Sequence, residues 1–428
     1  MILTTMLVLL GLIMAGLTVA SAIMITGVVL SETYAFFPLT SALGNILWSA
    51  STQFTLVAIP LFIMMGELLL RSGLTEGMYN ALNKWFVRVP GGLMHTNIAA
   101  CAFFSATSGS SVATTATIGT ISVPNIERYK YKPSIYLGSI AAGGTLGILI
   151  PPSINMILYG VMAQVSVTSL YLAGIIPGVL LALLFSFAIF LVALARPDWS
   201  GIKQAPVPLK EKLKALVFLI EPFILFVVVI GSIYAGIATP TEAAAFGVVG
   251  ALFIITIRKR LSLKLLSKVF RSTMRTTCMV MLVVLTAYFL NFVLSNIGMI
   301  DLLVDTVNAL DVAPLTVLLA IIVIYLIMGC FMETISLMIA TTPIVVPIIT
   351  ALGYDPIWFG VLFMILIEAA LITPPIGVNL FVVQSVRGKG PFKDVIYGAL
   401  PFLLIMILMI FVLIAFPQLA LFLPEVAR

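Results

Sequence analysis

The sequence predicts an all-α polytopic membrane protein built from two inverted-topology repeats. Each repeat holds one re-entrant helical hairpin and one discontinuous helix. Three observations predict this. The 428 residues are 62% hydrophobic and only 9% charged, with a mean hydropathy of +1.23, more apolar surface than a soluble core can take up. The basic residues fall in a few short clusters between long apolar stretches. A Pro-Pro pair followed closely by Asn occurs twice inside such stretches, at Pro151-Pro152 with Asn155 and at Pro374-Pro375 with Asn379.

The composition bounds the class. Unbroken apolar runs such as Ala215–Ile233 and Leu400–Phe416 exclude a porin-type barrel, whose strands alternate. The net charge of +6 reads as a bias of cytoplasmic loops; the lipid bilayer, not a nucleic acid, is the partner it implies. Cys101, Cys278 and Cys330 lie in apolar segments with no pairing pattern and read as packing residues. The N-terminus lacks the basic start of a signal peptide and reads as the first membrane helix.

Charge placement orders the spans. Of the 22 Lys and Arg residues, all but Arg428 fall in the clusters Arg71–Arg88, Arg128–Lys132, Arg196–Lys214, Arg258–Arg275 and Arg387–Lys393. With every cluster cytoplasmic, an even number of crossings separates neighbours. Residues 133–195 hold two spans and 215–257 two more, turning at Ala238-Thr239-Pro240. Residues 276–386 carry Asp301, Asp305, Asp311 and Asp355 on connections free of Lys and Arg, as the opposite face requires. One span before Phe54 and one after it put the N-terminus in the cytoplasm. The final span, about 394–416, puts the C-terminus in the periplasm. Residues 31–53, with Tyr34, Phe36, Phe37 and Trp48, read as an interfacial helix.

The halves align at a constant offset. Pro347, Tyr354, Pro356 and Pro374 follow Pro124, Tyr131, Pro133 and Pro151 by 223 residues each; beyond the Pro-Pro pair the offset becomes 224, matching Asn155 with Asn379 and Pro177 with Pro401. The connections of the first copy are basic and those of the second acidic, the signature of an inverted repeat. Such repeats place one binding site near the bilayer midplane, where discontinuous helices meet.

Each copy carries a candidate hairpin. In residues 105–117, eight of thirteen residues bear hydroxyls, with the tip at Ser108-Gly109-Ser110-Ser111. Two short full spans satisfy the same parity, and small residues also serve close helix packing; a polar centre favours a hairpin, because irregular backbone at that depth must line a cavity. The second tip falls at Met332-Glu333-Thr334, with Glu333 in the place of Ser110. An acid at membrane depth is expensive and usually functional. Pro151 and Pro152 leave the Gly147 and Ile148 carbonyls without amide partners, and Pro374 and Pro375 do the same for Ala370 and Leu371. A break facing a hydroxyl-rich tip makes an oxygen cage suited to a hard cation. The first turns of the hairpin helices offer N–H groups to a carboxylate.

Other charges read as interfacial. Glu67 precedes Arg71 by one turn, Glu221 lies early in its span, and Glu242 follows Pro240 as a helix-start acid. Glu368 lies deeper and either orients the second broken helix or takes a coupling proton. The single His95 provides neither a metal set nor a Ser/His/Asp apparatus, so an intramembrane enzyme is disfavoured. No phosphate-binding Gly-rich loop followed by Lys is present, so neither ATP nor an organic cofactor is expected.

The run from Met332-Glu333-Thr334 through Thr342-Pro343 and Pro347, then Tyr354-Asp355-Pro356-Ile357-Trp358-Phe359-Gly360, then Glu368 and Thr373-Pro374-Pro375-Ile376-Gly377-Val378-Asn379-Leu380-Phe381, resembles the large membrane subunit of TRAP transporters. Ser105–Ser111 and Gly147–Asn155 fit the same family, and the resemblance covers nearly the whole chain. It implies an ion-transporter-superfamily fold with an elevator-type transport domain and a scaffold. It implies a sodium-driven importer of organic acid anions such as C4-dicarboxylates or sialic acid, in a bacterial inner membrane. A small four-helix membrane subunit and a periplasmic substrate-binding protein are the implied partners. By motif position, one sodium site involves Ser105, Ser108, Ser110, Gly147 and Pro151. Another involves Glu333, Thr334, Thr373 and Gly377; the family usually has Asp where Glu333 stands. The implied substrate contacts are Ser108, Ser111, Ser153, Asn155, Thr341, Pro375 and Asn379. The family's first helix often carries Gly-Val-Pro, where this chain has Gly16-Leu17-Thr18.

The expected domains are a scaffold helix and interfacial helix (1–53), a first transport repeat (54–170; hairpin about 93–126, broken helix 135–165), and scaffold with a basic arm (171–275). A second transport repeat follows (277–386; hairpin about 314–350, broken helix 357–386), then an arm and a C-terminal scaffold helix (387–428). A standalone ion-coupled carboxylate transporter or antiporter of the same superfamily is the alternative.

Overall fold

The computed structural model describes residues 1–202, 204–309 and 312–427, without the side chains of Thr107 and Asn308. Lys203, Asp311 and Arg428, which entered the charge reading, lie outside the described residues. Among those described, every regular element is a helix. Seven helices are long and apolar enough to cross a membrane, or eight when a bent pair counts as one span.

The chain opens with α1 (Ile2–Met14) and α2 (Val19–Tyr34), then the short α3 (Leu43–Ser51). Residues 1–30 were expected to hold one span, but the chain reverses at Ala15–Thr18. Gly16 takes a left-handed φ of 83° there, and Thr18 caps α2 through the Ser21 amide at 3.4 Å. Thr4 and Tyr34 share a hydroxyl bond of 2.6 Å, so the two helices run antiparallel. Thr5 meets the Met299 sulfur at 3.5 Å. Met1 therefore lies at the end of the molecule that carries Asp301 and Asp305, opposite Arg71, and the single crossing on which the parity count rested is replaced by two short helices. A continuous apolar run hides a reversal that needs only one glycine and one capping hydroxyl. Helix α3 has Trp48 on its exposed side.

The first repeat comprises α4 (Ala58–Arg71), α5 (Leu74–Phe86), α6 (Leu93–Ser108), α7 (Ser111–Ser122), α8 (Asn125–Arg128), α9 (Pro133–Leu149), α10 (Ile154–Met162) and α11 (Val167–Ala195). Helices α12 (Leu209–Ala215), α13 (Val217–Tyr234) and α14 (Pro240–Ile257) follow. The second repeat runs through α15 (Leu263–Asn296), α16 (Met299–Ala309), α17 (Pro314–Gly329), α18 (Thr334–Ala351), α19 (Pro356–Leu371), α20 (Val378–Arg387) and α21 (Phe392–Ala415), and the chain ends in α22 (Gln418–Val426). Pro133 and Pro356 each sit at the first helical position of their helix, 223 residues apart, where a missing N–H costs nothing.

Helices α9 and α10 are bent by 44° at their break, and both Pro-Pro peptides are cis. Helices α6 and α7 form an antiparallel hairpin, fixed where Ser122 near its end bonds Asn97 near its start at 2.5 Å. In the second hairpin Tyr325 of α17 bonds Thr341 of α18 at 2.6 Å. Helix α7, of 12 residues, is about 18 Å long, against about 30 Å of hydrocarbon. Helix α18 has 18 residues and meets the length and composition test for a crossing.

Several helix contacts cross the expected domain boundaries. Helices α11 and α21 were assigned to the scaffold, yet both pack on the broken helices. A Cβ on Gly138 of α9 would sit 1.9 Å from the Gly398 carbonyl of α21, so the two backbones meet directly. Phe185 of α11 packs edge-on against Phe402 of α21 at 5.4 Å, and the Trp358 indole of α19 donates to the Leu413 carbonyl at 3.0 Å. Helix α4, expected with the first transport repeat, packs on α14 and α15, and α15 also holds α2. Helix α15 runs unbroken for 34 residues across the boundary expected at 275–277. These assignments rest on small residues meeting in space, which one-dimensional periodicity does not register.

Candidate functional site

The first tip sits directly on the first break. Gly109 ends α6 with φ 59°, the left-handed conformation glycine adopts without penalty. Ser110 then caps α7 through the Ala113 amide at 3.4 Å. A Cβ on Gly109 would lie 3.0 Å from the Pro152 carbonyl oxygen, and one on Gly147 would lie 2.9 Å from the Ser111 nitrogen. Ser108 shares a hydroxyl bond with Thr114 at 3.0 Å. Across the break, Ser153 caps α10 through the Met156 amide at 3.4 Å, and its carbonyl accepts from Tyr171 at 3.3 Å. Helices α7 and α10 thus both begin at the site, with their N–H ends available for negative charge.

The second tip repeats the arrangement. Glu333 caps α18 through the Ser336 amide at 3.1 Å, the positions of Ser110 and Ala113 moved by 223 residues. The equivalence read from sequence is therefore one of capping role, and Glu333 is an exposed cap rather than a buried lone acid. Thr334 donates to its Oε1 at 3.2 Å. Gly329 lies against Ala370, and the Cys330 thiol reaches the Pro374 carbonyl at 3.6 Å, so this tip faces the second break. Gly377, at φ 55°, has the carbonyls of Leu371 and Thr373 each 3.0 Å from where a Cβ would stand. The Ala370 carbonyl, expected to be free, accepts from the Thr373 amide at 3.1 Å, because the last turn of α19 tightens.

A cavity of about 140 Å³ joins these parts. It is lined by Ser108–Ala113 of the first tip, Ile148, Ile154 and Asn155 of the first break, Glu333 and Thr334 of the second tip, and Leu371 of the second break. Glu67 of α4 and Thr276 of α15 close its side toward the basic clusters. Around it, buried polar atoms have no hydrogen-bond partner among the described residues: Ser105 Oγ, Asn155 Nδ2, Glu368 Oε2, and both amide atoms of Asn379. Ser105 and Asn379 are completely buried. An unsatisfied buried polar atom costs about 1–3 kcal/mol, so a cluster of them is the usual mark of a site that a ligand completes.

Of the fifteen expected residues, Ser108, Ser110, Ser111, Asn155, Glu333 and Thr334 line the cavity, and Ser105, Gly147, Pro151, Ser153, Thr341, Thr373, Pro375, Gly377 and Asn379 do not. Thr341 spends its hydroxyl on the Leu337 carbonyl at 2.7 Å and accepts from Tyr325, so it holds the second hairpin together instead of lining the site. Pro375 is exposed and absent from the lining. Thr373 donates to the Ala369 carbonyl at 2.7 Å, which leaves only its oxygen and its carbonyl for a ligand.

Two features escaped the sequence. Ser111 donates to Glu368 Oε1 at 2.5 Å, linking residues 257 apart. At the base of the first hairpin, the Asn97 amide donates to Ser139 at 2.9 Å and accepts from Tyr79 at 2.8 Å and Ser122 at 2.5 Å. Ser122 also bonds Tyr136 at 2.7 Å. This buried network ties α5, α6, α7 and α9 together. Its only signal in sequence is an amide within the apolar stretch of α6.

The other charges singled out in the sequence have partners. Glu67 bonds Arg71 at 2.7 Å and accepts from Ser272 at 2.7 Å. Glu221 pairs with Arg258 at 2.8 Å. Glu242 closes a capping box with Thr239. His95 is buried against the Pro90 carbonyl at 2.8 Å, which fixes its ring away from the site hydroxyls.

Residues 6–419 match the family described as "Tripartite ATP-independent periplasmic transporter, DctM component". The chain is 34% identical over 384 residues to the C4-dicarboxylate TRAP transporter large permease protein DctM of Pseudomonas aeruginosa, covering 89% of this chain and 88% of that one. It is 31% identical to the sialic acid TRAP transporter large permease protein SiaM of Vibrio cholerae, at 97% and 96% coverage. It is 31% identical to the ectoine TRAP transporter large permease protein TeaC of Halomonas elongata, at 87% of each. Among solved structures, the YdaH transporter of Alcanivorax borkumensis superposes with a TM-score of 0.65 at 15% identity, over 94% of this chain and 98% of that one. That likeness concerns the fold.

Proposed function

The chain belongs to the family of DctM components of tripartite ATP-independent periplasmic (TRAP) transporters, and from that premise we propose that it imports an organic acid anion by sodium-coupled symport. It is a multi-pass large membrane subunit and not an enzyme. The relatives named for C4-dicarboxylates, sialic acid and ectoine supply the substrate class: small molecules bearing a carboxylate. The partners are a small membrane subunit and a periplasmic substrate-binding protein. The membrane is the bacterial inner membrane, with the basic clusters inside and both Met1 and the C-terminal end outside.

The observation that carries this reading is the cluster of unpartnered buried oxygens and amides at two breaks, each faced by a hairpin tip. Hydroxyls, amides and carbonyls without a basic side chain form a donor set for a hard monovalent cation. We assign the first sodium to Ser105, Ser108, Ser110 and the Gly147–Pro151 carbonyls. The second goes to Thr334 with the Leu371, Thr373 and Gly377 region, where Glu333 holds the helix start. The anion lies between them on the N-termini of α7 and α10, with Asn155 and Asn379 as amide donors and the bound sodium ions as counter-charge. Both hairpins are re-entrant on this reading, for which the 12-residue length of α7 speaks. The moving body comprises both hairpins, both broken helices, α11 and α21, carried in an elevator motion against α2, α4, α13, α14 and α15.

The test is uptake by the complete transporter in proteoliposomes. Ser108→Ala and Asn155→Ala are each expected to abolish uptake while the subunit still assembles in the membrane. Wild-type rates in either variant would remove the site assignment. Strong uptake driven by a proton gradient without sodium would move the coupling to Glu333 or Glu368. Transport by this chain alone would favour a standalone carrier.

A further inference from the structure

Glu368 is the one acidic side chain buried among the described residues, at 1% exposure. It makes no ion pair there. Its Oε1 accepts the Ser111 hydroxyl at 2.5 Å, and its Oε2 has no partner. The two residues belong to different repeats. Ser111 opens α7, and its backbone nitrogen lies against Gly147 at the first break, whereas Glu368 stands on α19, six residues before Pro374. The contact is one-sided. Thr145, which occupies the place of Glu368 in the first repeat, bonds the Ala142 carbonyl of its own helix at 2.6 Å. The second tip therefore lacks the tie that the first one has.

A carboxylate at membrane depth without a cation is expensive, while Ser111 needs only an acceptor. We propose that Glu368 is a positioning residue that acts as a hydrogen-bond acceptor: through Ser111 it fixes the first tip over the first break, so the second repeat assembles the first cation cage. The proposal rests on the sodium-coupled reading above and adds to it a residue that touches neither ion nor anion. Its consequence is that occupancy of the first cage depends on the placement of α19, which joins the two repeats into one binding unit.

The experiment measures uptake against sodium concentration for the complete transporter carrying Glu368→Ala, Glu368→Gln, Ser111→Ala, or Ser111→Ala with Glu368→Ala. Losing one buried bond to a charged or acidic group is expected to raise half-saturating sodium roughly tenfold in each alanine variant, with the rate at saturating sodium within about twofold of wild type for Glu368→Ala. Glu368→Gln keeps an acceptor oxygen and restores near-wild-type sodium dependence. The double variant is no worse than either single one, as for partners in one contact. A Gln variant as impaired as the Ala variant overturns the proposal, since charge or proton carriage would then be the role; so do additive effects on half-saturating sodium, or a fall in maximal rate alone in Glu368→Ala. If wild-type uptake proves independent of sodium, the reading above fails, and thiol labelling still decides this proposal. In a background lacking Cys101, Cys278 and Cys330, labelling of Val112→Cys is expected to rise several-fold with Glu368→Ala and not with Glu368→Gln. Equal labelling in all three would overturn it.

Discussion

Asn97 and Asn379 are the same residue type, both completely buried, and opposite in what they do. Asn97 satisfies three neighbours, whereas Asn379 satisfies none. Hydrogen-bonded polar groups hold a fold, and unpartnered ones cost stability until a ligand arrives. Asn97→Ala should therefore lower the thermal stability of the detergent-purified subunit by roughly 3 kcal/mol, through the orphaning of Tyr79, Ser122 and Ser139. Asn379→Ala should leave stability unchanged or higher and should eliminate uptake. Equal losses of stability in the two would contradict this division. Asn379 and Asn155 were legible in the sequence because each follows a Pro-Pro pair. Asn97 was not, because its partners come from three other helices. Thr341 misled for the converse reason: a hydroxyl near a hairpin tip can be spent within the hairpin.

At the scale of elements, prolines and caps were the readable signals. Two adjacent prolines end a helix whatever surrounds them, so both breaks stood in the sequence, and the constant offset foretold that Ser110 and Glu333 fill one role. Contacts between helices were not readable, because they depend on the absence of side chains. Gly138 and Gly398 bring α9 and α21 to backbone contact, and Gly147 lets the first tip settle on the break. Gly398→Ala places a methyl group 1.8 Å from the Ser134 carbonyl and should destabilise the subunit by about 3 kcal/mol or more. Gly147→Ala meets the Ser111 nitrogen at 2.9 Å. It should impair sodium-dependent uptake at least tenfold with a smaller effect on stability, since the tip can lift where a helix pair cannot separate. Sodium-dependent melting shifts and uptake rates for the two variants separate these outcomes. The N-terminal reversal was hidden for a related reason. Thr18 caps α2 inside a run that is apolar on both sides.

At the scale of the molecule, basic and acidic ends orient the two repeats oppositely, and the hairpin tips meet at one cavity. On the proposed reading, two breaks, two tips and one cavity make a site with two cation positions flanking an anion. Such a site predicts cooperative use of sodium, with a Hill coefficient above one and limited by the number of sites. The most direct measurement is the initial rate of uptake against external sodium, in proteoliposomes containing this subunit, its small membrane partner and the loaded binding protein. The account predicts no uptake in choline and a sigmoidal rise with sodium, with a Hill coefficient of about two. Uptake that persists without sodium, or rises hyperbolically with it, would contradict a site built from two cation cages.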